Sequence, residues 1–152
     1  MIKFKMITGI QGYEKGYEFR HGILADEMGY TDEKDEIDDI ATHIVGVENG
    51  KIICYGRLYP AGEYAYGIDK VCVNKADRKQ YVADTILRAF EDRAVGNMAG
   101  IIIVSVPSDA VEFFLHEDYF KTGEEYVNEG ITYYKMKKDL TKVRGCRGGC
   151  HK

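Results

Sequence analysis

Ile68-Asp69-Lys70-Val71-Cys72-Val73-Asn74-Lys75-Ala76-Asp77-Arg78-Lys79-Gln80-Tyr81-Val82-Ala83-Asp84-Thr85-Ile86-Leu87-Arg88-Ala89-Phe90 is the stretch that decides how this chain folds. Its first part, ending in Val71-Cys72-Val73, reads as an apolar strand. Its last part reads as an amphipathic helix, with Val82, Ile86 and Phe90 on one stripe, Ala83, Leu87 and Ala94 beside it, and Asp84, Arg88, Glu91 and Asp92 facing out. Between the two lies a basic loop, Arg78-Lys79-Gln80-Tyr81-Val82-Ala83. A strand that runs through such a loop into a helix start gathers free backbone N–H groups, the positive end of the helix dipole and cationic side chains, which is what a pyrophosphate requires. A phosphate-bearing cofactor is the first expectation. Tyr81 stands where a loop that approaches phosphate closely usually has glycine.

A chain of 152 residues with 45% hydrophobic and 30% charged content suits one soluble domain with a real core. That domain is expected over residues 1–141, followed by a mobile Gly/Cys/basic tail at 142–152. No run approaches the roughly 20 apolar residues of a membrane span, and Met1-Ile2-Lys3-Phe4-Lys5-Met6 alternates like a strand instead of forming a signal peptide's apolar block. No membrane is expected, and a cytoplasmic protein is. Cys54 and Cys72 sit in strand-like runs and Cys146 and Cys150 in the tail, which is no disulfide framework. The net charge of -4 argues against nucleic acid as a partner. The acidic run from Asp32 to Asp39 reads either as a solvated loop or as an attractor of an amine or a basic protein.

The remaining elements follow from periodicity and turn residues. Ile2–Ile7 is a first strand, and Gly9, Gly12 and Gly16 punctuate a loop before a helix at Tyr17–Met28 that stops at Gly29. His43–Val47 and Ile52–Leu58 flank the hairpin signal Asn49-Gly50. Tyr64–Val73 is the next strand, and the helix after it ends near Gly96. Ile101-Ile102-Ile103-Val104 suits a strand buried on both faces and closed by Pro107. Ser108 is placed to cap a short helix through His116. Strands near Glu125–Val127 and Thr132–Met136 share the turn at Asn128-Glu129-Gly130. The order implies an α/β (α+β) fold with a mixed, mostly antiparallel sheet flanked by helices.

With these parts in place the chain resembles the GCN5-related N-acetyltransferase (GNAT) family, specifically its small bacterial branch, from Tyr17 to Leu140. Arg20, Ile23-Leu24, Glu27, the acidic run ending Asp38-Asp39, His43 and Gly56-Arg57-Leu58 carry the likeness, together with the strand, loop and helix of Ile68–Leu87. The resemblance implies acetyl-CoA as cosubstrate and no metal. The main chain of Val71, Cys72 and Val73 would pair with the pantetheine arm. The loop from Arg78, Lys79, Gln80, Tyr81, Val82 and Ala83 to Asp84 and Thr85 would hold the pyrophosphate, and the Val73 N–H would meet the developing oxyanion. The implied activity is acetyl transfer to a primary amine of a small molecule or protein acceptor, by direct attack on the thioester. A homodimer is allowed.

Three positions depart from the family pattern. Tyr81 replaces the loop's first glycine, Leu115 stands where the thiolate-protonating tyrosine belongs, and Tyr119 replaces a glycine. They motivate the alternative of a catalytically weakened protein that binds CoA or a partner as a sensor. The remaining catalytic candidates each carry two readings. Tyr119 or His116 could supply the acid or be an exposed helix-end residue. His43 could be a base facing the acceptor cleft or a strand histidine satisfied by its neighbours. Glu63 and Asp69, both read as lying on the strand beside the acetyl group, could act as base through water. Cys72 reads as a small buried hydrophobe. Cys146, Cys150 and His151 are three potential ligands where structural zinc normally needs four, so a tail without bound metal is expected.

Overall fold

The computed structural model describes residues 1–141. Its elements are β1 (Lys3–Thr8), α1 (Ile10–His21), a π-helical turn (Gly22–Glu27), α2 (Glu36–Ile40), β2 (Thr42–Glu48), β3 (Lys51–Gly62) and β4 (Ala65–Val73). After a 3-10 turn at Lys75–Asp77 come α3 (Gln80–Gly96), β5 (Ile101–Pro107), a second 3-10 turn (Ser108–Ala110), α4 (Val111–His116), β6 (Phe120–Asn128) and β7 (Ile131–Asp139). The strands are hydrogen-bonded in the order β1-β2-β3-β4-β5-β7-β6. β4 and β5 pair in parallel, whereas β1 with β2, β2 with β3, β5 with β7 and β6 with β7 are antiparallel. The sheet is therefore mixed and mostly antiparallel, with its helices as connections. Among the described residues no helix is long and apolar enough to cross a membrane.

The chain forms two compact units, one from Met1–Tyr59 with Ile68–Phe90, the other from Pro60–Gly67 with the described chain from Glu91 onward. In the first, Ile23, Leu24, Val45, Tyr55 and Cys72 form a buried cluster with Phe19, Tyr30, Val47 and Ile52 packed against it. The stripe read from the α3 sequence is buried as expected, with Val82, Ile86, Leu87 and Phe90 all at 1% exposure or less. A methyl on Gly56 of β3 would lie 3.0 Å from Ile86 and 3.1 Å from Phe90, which puts α3 directly against that strand. The β2–β3 hairpin turns at Asn49 (φ 53°) and Gly50 (φ 77°), as the dipeptide predicts.

α1 corrects the sequence reading. The helix starts at Ile10, not Tyr17, and contains Gly12 and Gly16, which periodicity assigns to a loop. Both glycines are buried because the helix runs close to β2 and β3 there. A Cβ on Gly12 would stand 2.5 Å from the His43 ring, and one on Gly16 would stand 2.5 Å from the Tyr55 ring. Close approach to those rings, not chain flexibility, places glycine at both positions. The helix also ends early, at His21, and continues as the π turn, with Met28 N–H donating to the Ile23 carbonyl at 3.0 Å.

In the second unit, β5 alternates instead of being buried on both faces. Ile102, Val104 and Val106 are buried, while Ile101 is 37% exposed. Ser108 forms no side-chain cap; a 3-10 turn following Pro107 starts the short helix instead. β6 and β7 meet at Glu129 (φ 51°) and Gly130 (φ 79°) and are longer than their apolar signals. The register between them shifts between Lys121 and Glu125.

Candidate functional site

Charge is concentrated inside the first unit. Arg20 on α1 is fully buried and donates from Nε to Asp32 at 2.9 Å and from Nη1 to Asp38 at 2.7 Å. Arg57 on β3, 1% exposed, donates from Nη1 to Asp38 at 2.9 Å and to Asp35 at 2.7 Å, and grips both oxygens of Asp69 at 2.8 Å. Lys70 adds a bridge to Asp32 at 3.2 Å. The acidic run is therefore neither solvated throughout nor freely available to a basic partner, since Asp32 and Asp38 are the buried counter-ions of two arginines. Asp35 and Asp38 also form a reciprocal capping box at the start of α2. Burial alone would raise the Asp38 carboxyl. Hydrogen bonds from Arg20 and the Asp35 amide, with the charges of Arg20 and Arg57, outweigh it and hold Asp38 well below the usual carboxylate range.

His43 closes this network from β2. Its Nε2 lies 3.0 Å from the Asp38 carbonyl, which can only accept, so Nε2 carries the proton and Nδ1 accepts from the Tyr55 hydroxyl. Tyr55 in turn accepts from Arg20 Nη1 at 3.1 Å. Burial keeps the His43 ring below its ordinary pKa, hence neutral, against the raising influence of Asp38. Both ring nitrogens are engaged and the ring has no exposure. In place of a base facing a cleft, the structure has a ring that ties α1, α2 and β3 together.

The other candidates separate by environment. Glu63 lies in the exposed turn between β3 and β4, not on the strand. Asp69 lies on β4, with a side chain 33% exposed and oriented by Arg57. Cys72 is buried and its thiol pushed far up by burial, which suits the small-hydrophobe reading. Tyr119 is 2% exposed, which corrects its reading as an exposed helix end, and donates to Glu91 at 2.9 Å. Burial, then the Glu91 charge, hold its phenol well above the ordinary value. Lys138 completes this second buried group, 3.0 Å from Glu91. Sequence reading missed the Glu91–Lys138 pair, because 47 residues separate the two and Glu91 falls on the outward side of the helical wheel. His116 is exposed, and Leu115 is 42% exposed with no proton to give.

The basic loop between β4 and α3 lies in the first unit. Asn74 N–H donates to the Ile53 carbonyl on β3 at 2.7 Å. Main-chain groups alternate along a strand, so the N–H and C=O of Val73, and those of Val71, face away from β3 while those of Cys72 face toward it. The edge turned away from β3 is thus formed by Val71 and Val73 without Cys72, and on it the Val73 carbonyl accepts from Arg78 Nε at 2.8 Å. Beyond it, Lys79 N–H donates to Asp77 and Val82 N–H to Lys79, at 2.8 and 3.0 Å, which tightens the entry to α3. Tyr81 is 56% exposed, so its ring is turned outward. Lys79 is exposed, and Thr85 Oγ1 is bonded to the Tyr81 carbonyl at 2.7 Å. A 17-residue helix with an exposed lysine at its start fits an anionic group such as pyrophosphate. Asp84 Oδ1, in the same region, is buried with no hydrogen-bond partner. Cys146, Cys150 and His151 lie outside the described residues, and among the described residues no group of three or more His, Cys, Asp or Glu could hold a metal.

Comparison with known proteins supports the same frame. A UPF0039 protein of Schizosaccharomyces pombe is 27% identical over 111 residues, 71% of this chain and 74% of that protein. A candidate N-acetyltransferase from Lactobacillus plantarum superposes with a TM-score of 0.82 at 22% identity, over 91% of this chain and 98% of that one. BjaI, a CoA-dependent acyl-homoserine lactone synthase solved with SAM and isopentyl-CoA, superposes with a TM-score of 0.75 at 14% identity, over 98% and 90% of the two chains. These likenesses establish the fold. Residues 12–140 match the acetyltransferase (GNAT) domain, nearly the whole described chain, and the protein belongs to that family.

Proposed function

We propose that the protein is an acetyl-CoA-dependent N-acetyltransferase of the family's small bacterial branch, acting in the cytoplasm on a primary amine of a small molecule or a protein. The observation that carries this reading is the outward edge of β4 at Val71 and Val73, followed directly by the exposed Lys79 and the start of α3. That arrangement suits an extended amide-bearing arm that ends in a pyrophosphate. Acetyl-CoA would supply the activated acyl group when bound. The chain's own part is to position it, to offer the Val73 N–H to the developing oxyanion, and to receive the amine's proton. Of the carboxylates considered as base, Asp69 is the one both oriented by Arg57 and open to solvent, and we assign it proton collection through water. His43 is left out of the chemistry because its ring has no exposure and both its nitrogens are bonded within the network.

One observation favours the weakened, CoA-binding sensor. Tyr119 is buried and bonded to Glu91, and Leu115 has no proton, so α4 and its C-terminal flank offer no committed acid except the exposed His116. Thermal melts with CoA and acetyl-CoA, followed by thiol release across a panel of amines, separate the readings. A ligand at about 100 times its Kd adds about 2.7 kcal/mol, or about 5–10 °C for a domain of this size. No shift with either ligand rejects both readings, and a shift without thiol release favours the sensor.

A further inference from the structure

Arg78 does not reach out toward solvent as a loop arginine free to meet a phosphate would. Its Nε donates to the Val73 carbonyl at 2.8 Å, and its Nη2 lies 2.6 Å from Glu27 Oε2 at the end of the π turn. Both partners have a direction. Since Asn74 N–H points to β3, the Val73 carbonyl points to the opposite edge, so Arg78 lies along the very edge of β4 that the proposed cofactor arm would use. An incoming amide N–H meets a carbonyl that the Arg78 side chain lies against, and an incoming pyrophosphate meets a guanidinium whose Nε and Nη2 are turned to Val73 and Glu27.

We propose that Arg78 is a displaceable plug on the cofactor edge of β4 and that Glu27 is its catch. This rests on the CoA-binding reading above. On binding, a pantetheine amide N–H replaces Arg78 Nε at the Val73 carbonyl, and the freed guanidinium turns to the pyrophosphate, exchanging one carboxylate for two phosphates. The exchange conserves hydrogen bonds at Val73 and charge pairing at Arg78, so it is a switch between two satisfied states. Both partly exposed side chains, 33% for Arg78 and 34% for Glu27, leave room for the swing. Glu27 thereby sets cofactor affinity without touching the cofactor.

The test compares Glu27→Gln with Asp26→Asn, which removes the same charge one residue away at an exposed position outside the bridge. CoA binding by calorimetry is expected to tighten about two- to fivefold in Glu27→Gln, the worth of a partly exposed bridge, and to stay within error in Asp26→Asn. A second reading uses wild-type protein alone. The Arg78 Nε–H resonance, assigned by its loss in Arg78→Lys, is expected to be protected from exchange in the free protein and to lose that protection when CoA is added. Wild-type binding with an unmoved, still protected Arg78, or equal affinities in both variants, overturns the plug while leaving the CoA reading intact. Absence of CoA binding in wild type and variants alike overturns both.

Discussion

Asp38 accepts hydrogen bonds from two buried arginines and from the Asp35 amide, so its substitution separates charge pairs that have no water to turn to. Asp38→Asn is expected to cost about 3–5 kcal/mol in urea unfolding, the range for breaking one side of a buried pair. The same residue sets an acid limit. Its carboxyl ionises in the folded protein well below the ordinary value near 4, so the stability it gives is complete above about pH 4 and is lost as pH falls below that. His43 acts earlier. Its folded pKa is also depressed, so its contribution is complete above about pH 6.5 and declines as the unfolded chain begins to take up the proton. Melting temperature is expected to fall in two steps on acidification, with the lower step absent in Asp38→Asn. Asp84 argues the opposite way. A negative side chain early in a helix gains about 0.3–1 kcal/mol from the dipole, but an unsatisfied buried acceptor costs about 1–3 kcal/mol. The larger quantity decides, and Asp84→Ala, which removes the acceptor, is expected to raise the urea midpoint; a lower midpoint would contradict this.

At the scale of elements, the contact of α1 with β2 and β3 depends on two missing methyl groups. Alanine in place of glycine favours a helix interior by about 1 kcal/mol. At Gly16 that gain meets a Cβ 2.5 Å from one Tyr55 ring atom and 2.7 Å from the next, and overpacking of a core costs about 1–3 kcal/mol. Tyr55 cannot yield easily, since its hydroxyl is shared between His43 and Arg20. Gly16→Ala is therefore expected to be net destabilising, and an unchanged or higher melting temperature would show that α1 can lift away without loss. The same restraint gives Tyr55 a role as a spacer between helix and sheet as well as a bridge between charges.

At the level of the whole molecule, each compact unit contains a buried ionic group among the described residues. In the second unit Glu91 on α3, Tyr119 and Lys138 on β7 hold the helix end to the sheet. Removing one charge, as in Lys138→Met, is expected to cost about 3–5 kcal/mol, while the double replacement Glu91→Leu with Lys138→Met costs much less, because no charge is left without its counter-ion. Additive costs in chemical denaturation would mean that the two side chains do not act as a pair. If Tyr119 serves the fold in this way, Tyr119→Phe will lower stability by about 1 kcal/mol and leave CoA binding unchanged.

The chain's order of strands and longer helices was legible from local pattern, because apolar spacing and turn dipeptides such as Asn49-Gly50 act over a few residues, but α2, inside the acidic run read as a loop, was not. The α3 stripe, the β2–β3 hairpin and the mixed sheet all follow from it. The likeness also singled out Arg20, Glu27, Asp38, His43 and Arg57 without saying what they touch. Tertiary structure alone decided that Arg20, His43 and Arg57 converge on Asp38 while Glu27 pairs with Arg78, that Gly12 and Gly16 are contact surfaces and not loop, and that Tyr119 points inward to Glu91. The physical reason is range. Helix and strand periods are properties of neighbours along the chain, whereas a buried charge is satisfied by whatever residue the fold brings within about 3 Å, at any separation in sequence.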